Sequence, residues 1–149
     1  MTICTHKKSQ IFSHIVNGEV ILSEVGEICT QEWFRSAELR PRVRLFQDEF
    51  IVMPDHLHGI VWIVDENGDL PELFHFARRT DPAITGYGPG ALTTIMGLFK
   101  SEVTKRVRTR FNDPLFRVWH RSFHECIIRD ESHLMNVRRY IKRNPMKWR

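Results

Sequence analysis

Cysteine and tyrosine are scarce in this chain, and long apolar runs are absent. The three cysteines among 149 residues, Cys4, Cys29 and Cys126, are odd in number and widely spaced. That pattern excludes a disulfide framework and a zinc knuckle, and it fits a reducing compartment, so the expected location is cytoplasmic. No run of 18 apolar residues occurs, so no membrane-spanning segment is expected. The opening MTICTHKKSQ lacks the apolar stretch of a signal peptide. Acid is missing from the last twelve residues, RRYIKRNPMKWR, which carry six cations. A second block, residues 100–110, sets five cations against Glu102. Net charge is only +4, so the two blocks stand out on a near-neutral background. They read either as solvated helix faces or as an electrostatic footprint for phosphates.

What is present fits one globular domain spanning 1–149, with 42% hydrophobic residues and length enough for a core. MTICTH reads as a short strand, and residues 20–22 as another leading into a helix. Ser23 is a candidate N-cap, and Val25, Ile28, Cys29, Trp33 and Ala37 recur at helical spacing up to Pro41. Residues 43–53 form an extended run, Pro54 and Asp55 turn the chain, and residues 59–64 are again strongly β. The two runs are expected to pair as an antiparallel hairpin. Residues 65–90, rich in glycine and proline and without period, are expected to be a long flexible loop. Leu92, Ile95, Met96, Phe99, Val103 and Val107 then mark a helix, and residues 122–130 read as a strand. Asp130 caps a final helix with Leu134, Val137 and Ile141 on its buried stripe, expected to end near Asn144 because Pro145 disfavours helical geometry there. The order β-α-β-β-α-β-α predicts an α+β fold: a ferredoxin-like sandwich, an antiparallel sheet with helices mainly on one face.

Candidate chemistry starts at His56 and His58, in MPDHLHGIVWI. Residues i and i+2 of a strand share a face, so the two imidazoles form a two-nitrogen site for a divalent metal. A working site needs further ligands. Such pairs also occur simply packed or solvated. Of the two tyrosines, Tyr87 lies between glycines in the 65–90 loop with nothing to orient it, which leaves Tyr140 as the candidate nucleophile. On the last helix Tyr140 and Asn144, spaced i and i+4, flank the buried stripe, and the remaining cations are expected on the other side. Asn144 can offer an amide oxygen as a third, hard ligand for Mg²⁺ or Mn²⁺. A packing role for Tyr140 at the stripe's edge is the competing explanation. Candidate phosphate-binding cations are Lys100, Lys105, Arg106, Arg138, Arg139, Lys142 and Arg143, and Trp119 or Trp148 could stack bases.

MPDHLHG followed by an apolar strand resembles the His-hydrophobe-His motif of the single-tyrosine transposases, the HUH class. YIKRNPMKW resembles the Tyr-Ile-x-x-Asn-Pro signature of their REP-associated tyrosine transposase branch. TICTH, FKSEVTKRV and FHECIIRDE resemble that branch too, and the resemblance covers nearly the whole chain, weakest over 65–90. It implies a ferredoxin-like fold, usually a homodimer. It implies a DNA transposase that cuts and rejoins single-stranded DNA, often beside a hairpin, through a covalent 5′-phosphotyrosine. His56 and His58 match the metal ligands, Tyr140 the nucleophile, and Asn144 a third ligand. Cys126 stands where relatives often carry histidine, and the chain ends soon after the Asn-Pro motif. The alternatives are a non-catalytic nucleic-acid-binding module of the same fold and a metal-dependent nuclease that uses water.

Overall fold

The computed structural model describes residues 1–64, 67 and 91–148. The expected loop at 65–90, with Tyr87, lies outside the described residues apart from Asn67. Among the described residues eight strands and three α-helices follow in the order β1 (Thr2–Thr5), β2 (Ser13–Val16), β3 (Glu19–Leu22), α1 (Glu24–Glu38), β4 (Val43–Arg44), β5 (Phe50–Val52), β6 (His56–Gly59), β7 (Trp62–Ile63), α2 (Ala91–Phe111), β8 (Trp119–His124) and α3 (Glu131–Lys147). Four strands form the central sheet in the order β5-β6-β1-β8, with every neighbouring pair antiparallel. The chain's first and third sheet strands are thus adjacent, which is the order of the ferredoxin-like split βαβ fold.

Period-two alternation decides what each face carries. One row across the sheet reads Val52, Leu57, Ile3 and Phe123. It packs against the buried stripe of α1 and α2, including Trp33, Met96, Phe99 and Val103. The neighbouring row, Ile51, His58, Thr2 and His124, points to the opposite face. There α3 lays Leu134 and Ile141 over Ile60 and Trp62, with Ile51, Ile128 and Val137 at the margin. Two helices therefore cover one face and the third covers the histidine face. Burial of these two layers is the main driving force for the fold.

Local signals explain most boundaries. Ser23 caps α1 by accepting from the Gly26 amide at 3.1 Å. Asp130 caps α3 by accepting from the His133 amide at 2.7 Å. β2 and β3 form an unforeseen hairpin turned by Asn17 and Gly18, both in the left-handed region at φ 53° and 81°. An Asn-Gly pair is the residue choice that such a two-residue turn demands. The extended runs at 43–53 and 59–64 do pair, but as two short ladders, β4 with β7 and β5 with β6, interrupted by a 3₁₀ turn at Gln47–Glu49. The expected strand at 122–130 sits earlier, at Trp119–His124, because Trp119 and Phe123 are the residues that pack beneath α2. The helix expected to end near Asn144 runs on to Lys147 through Pro145. That proline forfeits a hydrogen bond to Ile141 in the last turn only, its own φ suits a helix, and its ring is buried. Among the described residues no helix is long and apolar enough to cross a membrane.

Candidate functional site

His56 and His58 stand on β6 facing α3, with their Nε2 atoms 3.1 Å apart. The other nitrogen of each ring is taken. His56 Nδ1 meets the Asp55 carboxylate at 2.5 Å, and His58 Nδ1 meets the Thr2 hydroxyl at 2.8 Å. Thr2 is the direct cross-strand partner of His58. Asp55 is pinned in its turn by the Thr5 amide and hydroxyl, which donate to its carbonyl at 2.9 and 3.0 Å. A carboxylate on Nδ1 makes that nitrogen the N–H donor, so the lone pair of His56 is left on Nε2. His58 is 6% exposed. Burial, then the neighbouring His56 and the chain's amino terminus, lowers its pKa to about 3, so the ring is neutral at physiological pH.

Helix α3 completes the arrangement. The Tyr140 ring meets the His58 ring edge-to-face at 5.0 Å between centroids. Trp148 meets His56 at 6.0 Å. Trp148 follows α3 as its C-cap residue. Asn144, one helical turn after Tyr140 at i+4, shares its face of α3. Its Nδ2 is buried and has no hydrogen-bond partner. Tyr140 is 51% exposed, and among the described residues its hydroxyl has no partner. Tyr140 and Trp148 meet the two histidines within one chain.

The site fits a divalent cation on its own chemistry. Two nitrogens bonded to one ion at about 2.1 Å and a right angle stand about 3.0 Å apart, whereas a tetrahedral angle needs about 3.4 Å. The observed 3.1 Å lies between these two values, a spacing that one divalent ion can bridge. The orphaned amide supports the same conclusion. Turning the Asn144 amide over places its oxygen, a hard ligand, at the buried position, and amide orientation is an assignment that the surroundings decide. Among the described residues no group of three or more His, Cys, Asp or Glu side chains converges, so an amide or water has to complete the ligand set.

A buried carboxylate, missed in the sequence, holds α3 in place. The Glu49 side chain is fully enclosed. One of its oxygens accepts from Arg138 Nε at 2.8 Å and Nη2 at 2.5 Å, and the other from the Trp62 indole at 2.5 Å. Arg138 is thus drawn into the interface two residues before Tyr140, which corrects its placement among the outward cations. The neighbours of Glu49, Gln47 and Asp48 before it and Phe50 and Ile51 after it, carry no signal that would mark an acid for burial.

The other candidate cations separate. Arg139, Lys142 and Arg143 are exposed and unpaired among the described residues. Lys105 is exposed too, Lys100 donates to the carbonyls of His120 and Arg121, and Arg106 is paired with Glu32 and Gln31. Trp119 is no free stacking surface, since it packs on Phe12 and Phe99 and donates to the Lys100 carbonyl. Trp148 stays beside the site. The cysteines are unbridged, and Cys126 is exposed.

Comparison with known proteins gives one relative of use. The chain is 35% identical over 148 residues to a protein of Haemophilus influenzae described as an uncharacterized protein, covering 99% of this chain and 79% of that one. No family model matches the chain. No solved structure matches it.

Proposed function

The chain belongs to the family of that Haemophilus influenzae protein, and from its own residues we propose that it is a metal-dependent tyrosine transposase acting on single-stranded DNA. The observation that carries the reading is the meeting, within one chain, of paired histidine nitrogens 3.1 Å apart with a tyrosine ring 5.0 Å from one of them. Its resemblance to the HUH class adds the chemistry. His56, His58 and Asn144 would hold Mg²⁺ or Mn²⁺, and a divalent ion there would polarise a scissile phosphate and stabilise charge on its oxygens.

The chain's own residues do the rest. Tyr140, half-exposed at the mouth of the site, attacks phosphorus with its phenol oxygen. The bond from phosphorus to the 3′ oxygen breaks. The phenol proton passes to solvent, and the departing oxygen takes one up as a 3′-hydroxyl. The 5′ phosphate stays on Tyr140. Because one phosphodiester has been exchanged for another, the reverse attack by a 3′-hydroxyl rejoins DNA without a nucleoside triphosphate. Arg139, Lys142 and Arg143 beside Tyr140 hold the flanking backbone, and Trp148 offers a stacking surface at the site. A hairpin next to the cut and a homodimer are part of the proposal through the resemblance.

The test is a denaturing gel after incubation with Mn²⁺ and labelled single-stranded hairpin DNA. A protein–DNA adduct that disappears in Tyr140→Phe supports the proposal. Cleavage that survives Tyr140→Phe makes the enzyme a nuclease that uses water. Binding without any cleavage of cognate DNA makes it a binding module.

A further inference from the structure

The cations of α2 sort into two groups. Arg106 and Arg110 turn toward α1, where they pair with Glu32 and Glu24. Lys100 and Arg108 line an open groove of about 700 Å³ between α2 and the segment leading into β8. Lys105 borders this groove as well as the α1 side. Gly97, Asn112 and Trp119 complete the groove's wall, and no acidic side chain lines it.

Three observations say what such a groove accepts. Lys100 is half-buried without a carboxylate partner, its ammonium resting on two backbone carbonyls at 2.7 and 3.1 Å. Burial lowers its pKa, the mark of a cation whose lost hydration is not made good by a counter-ion. Gly97 is exposed inside the helix, where glycine is a weak former, and a Cβ there would meet nothing within 4 Å. The fold makes no use of the missing side chain, whereas a molecule approaching the bare helix would. Finally, Gly97, Ser101, Thr104, Lys105, Arg108 and Asn112 follow one ridge, about 22 Å long at 1.5 Å per residue. The carbonyl end of α2 repels anions, so the occupant lies along the flank, against Lys100 and Lys105.

We propose that this groove holds the sugar–phosphate backbone of a single nucleic-acid strand, as a second contact separate from the histidine–tyrosine site. The proposal rests on the nucleic-acid reading of that site. The groove lies on the α2 side of the sheet and the histidines on the α3 side. A strand that reaches both passes round β8, which forms one end of the sheet. β8 is two strand spacings, about 10 Å, from β6. With the crossing from face to face the path is roughly 20 Å.

The test is fluorescence anisotropy of the full chain with a labelled 30-nucleotide mixed-sequence single strand in EDTA, so that binding is read without cleavage. Gly97→Trp fills the groove without changing charge and is expected to weaken binding at least fivefold. Lys105→Gln is expected to do the same and to lower the slope of log affinity against log salt by about 0.7, one phosphate contact on a single strand. Both positions are exposed, and a thermal melt within about 2 °C of wild type confirms that the variants are folded. Affinities within twofold of wild type for both variants overturn the proposal, as does a loss confined to duplex hairpin DNA. If the groove variants bind weakly while Tyr140→Phe still cleaves, the groove stands and the tyrosine mechanism falls. If the wild type binds no strand, both fall.

Discussion

Arg138 offers the sharpest test of how α3 is held, because sequence and structure assign it different work. In the structure its guanidinium donates twice to a Glu49 oxygen, and the Glu49 side chain is fully enclosed. Arg138→Met keeps the aliphatic stem and removes both donors. The carboxylate is then left buried with the Trp62 indole as its remaining side-chain donor. Breaking a buried pair from one side costs about 3–5 kcal/mol. The Arg138 side chain is 39% exposed, so water can enter the gap, and the lower figure of about 3 kcal/mol applies. For a chain of this size that is a fall in Tm of about 9 °C. In a double-mutant cycle, Glu49→Gln combined with Arg138→Met should cost less than the sum of the single changes, because the double variant strands no charge. The assay is thermal melting of the four proteins, with single-strand affinity measured in parallel. A drop below about 1 °C for Arg138→Met, together with a loss of DNA affinity, would refute the docking role and return Arg138 to the phosphate-binding set.

Three further outcomes are expected. His58 has a folded pKa of about 3 against an ordinary 6.5, so the unfolded chain binds the extra proton between those values; stability therefore falls as pH drops from 6.5 toward 3, and His58→Gln should flatten that part of the Tm profile, while an unchanged profile would mean the ring is not buried neutral. Asp55→Asn and Thr2→Val remove the groups that orient His56 and His58, and each should weaken Mn²⁺ binding by about 10–100-fold in calorimetry; unaltered affinity for both would show that the imidazoles are not metal ligands. Gly26→Ala would put a Cβ 2.0 Å from the Phe12 carbonyl oxygen, a backbone atom that cannot swing aside, and should cost about 3 kcal/mol in denaturant unfolding without changing the site's residues.

Much of the fold was legible because local signals and long-range packing agree. The apolar stripe of α2, the caps Ser23 and Asp130, and the turn at Pro54 and Asp55 all mean the same thing locally and globally. The misreadings occur where those levels part. Pro145 is a helix breaker by propensity, yet its buried ring continues the stripe of Leu134 and Ile141. Arg138 reads as one more cation in a basic run, and only the enclosed Glu49, 89 residues away, turns it inward. The hairpin at Asn17 and Gly18 was readable from its turn residues, but its strands alternate weakly and it stands outside the main sheet.

The site itself divides along the same line. His56 and His58 share a face because a strand has period two, and Tyr140 and Asn144 share a flank because a helix has period 3.6. Each half follows from local geometry. The distance between the halves depends on which face of the sheet α3 covers, and that is decided by Ile60 and Trp62 on one side and by Leu134 and Ile141 on the other. The histidine half is braced by Thr2 and Asp55 within the sheet, whereas the tyrosine half rests on one small apolar cluster and the Glu49–Arg138 pair. A substitution that loosens α3 should therefore lower the rate of adduct formation while leaving Mn²⁺ bound by the histidines, and a substitution at Asp55 should do the reverse. Measuring adduct yield at saturating Mn²⁺ separates the two: Asp55→Asn is restored by excess metal, and Arg138→Met is not. Restoration of both would mean that the helix contributes no more to the site than a ligand.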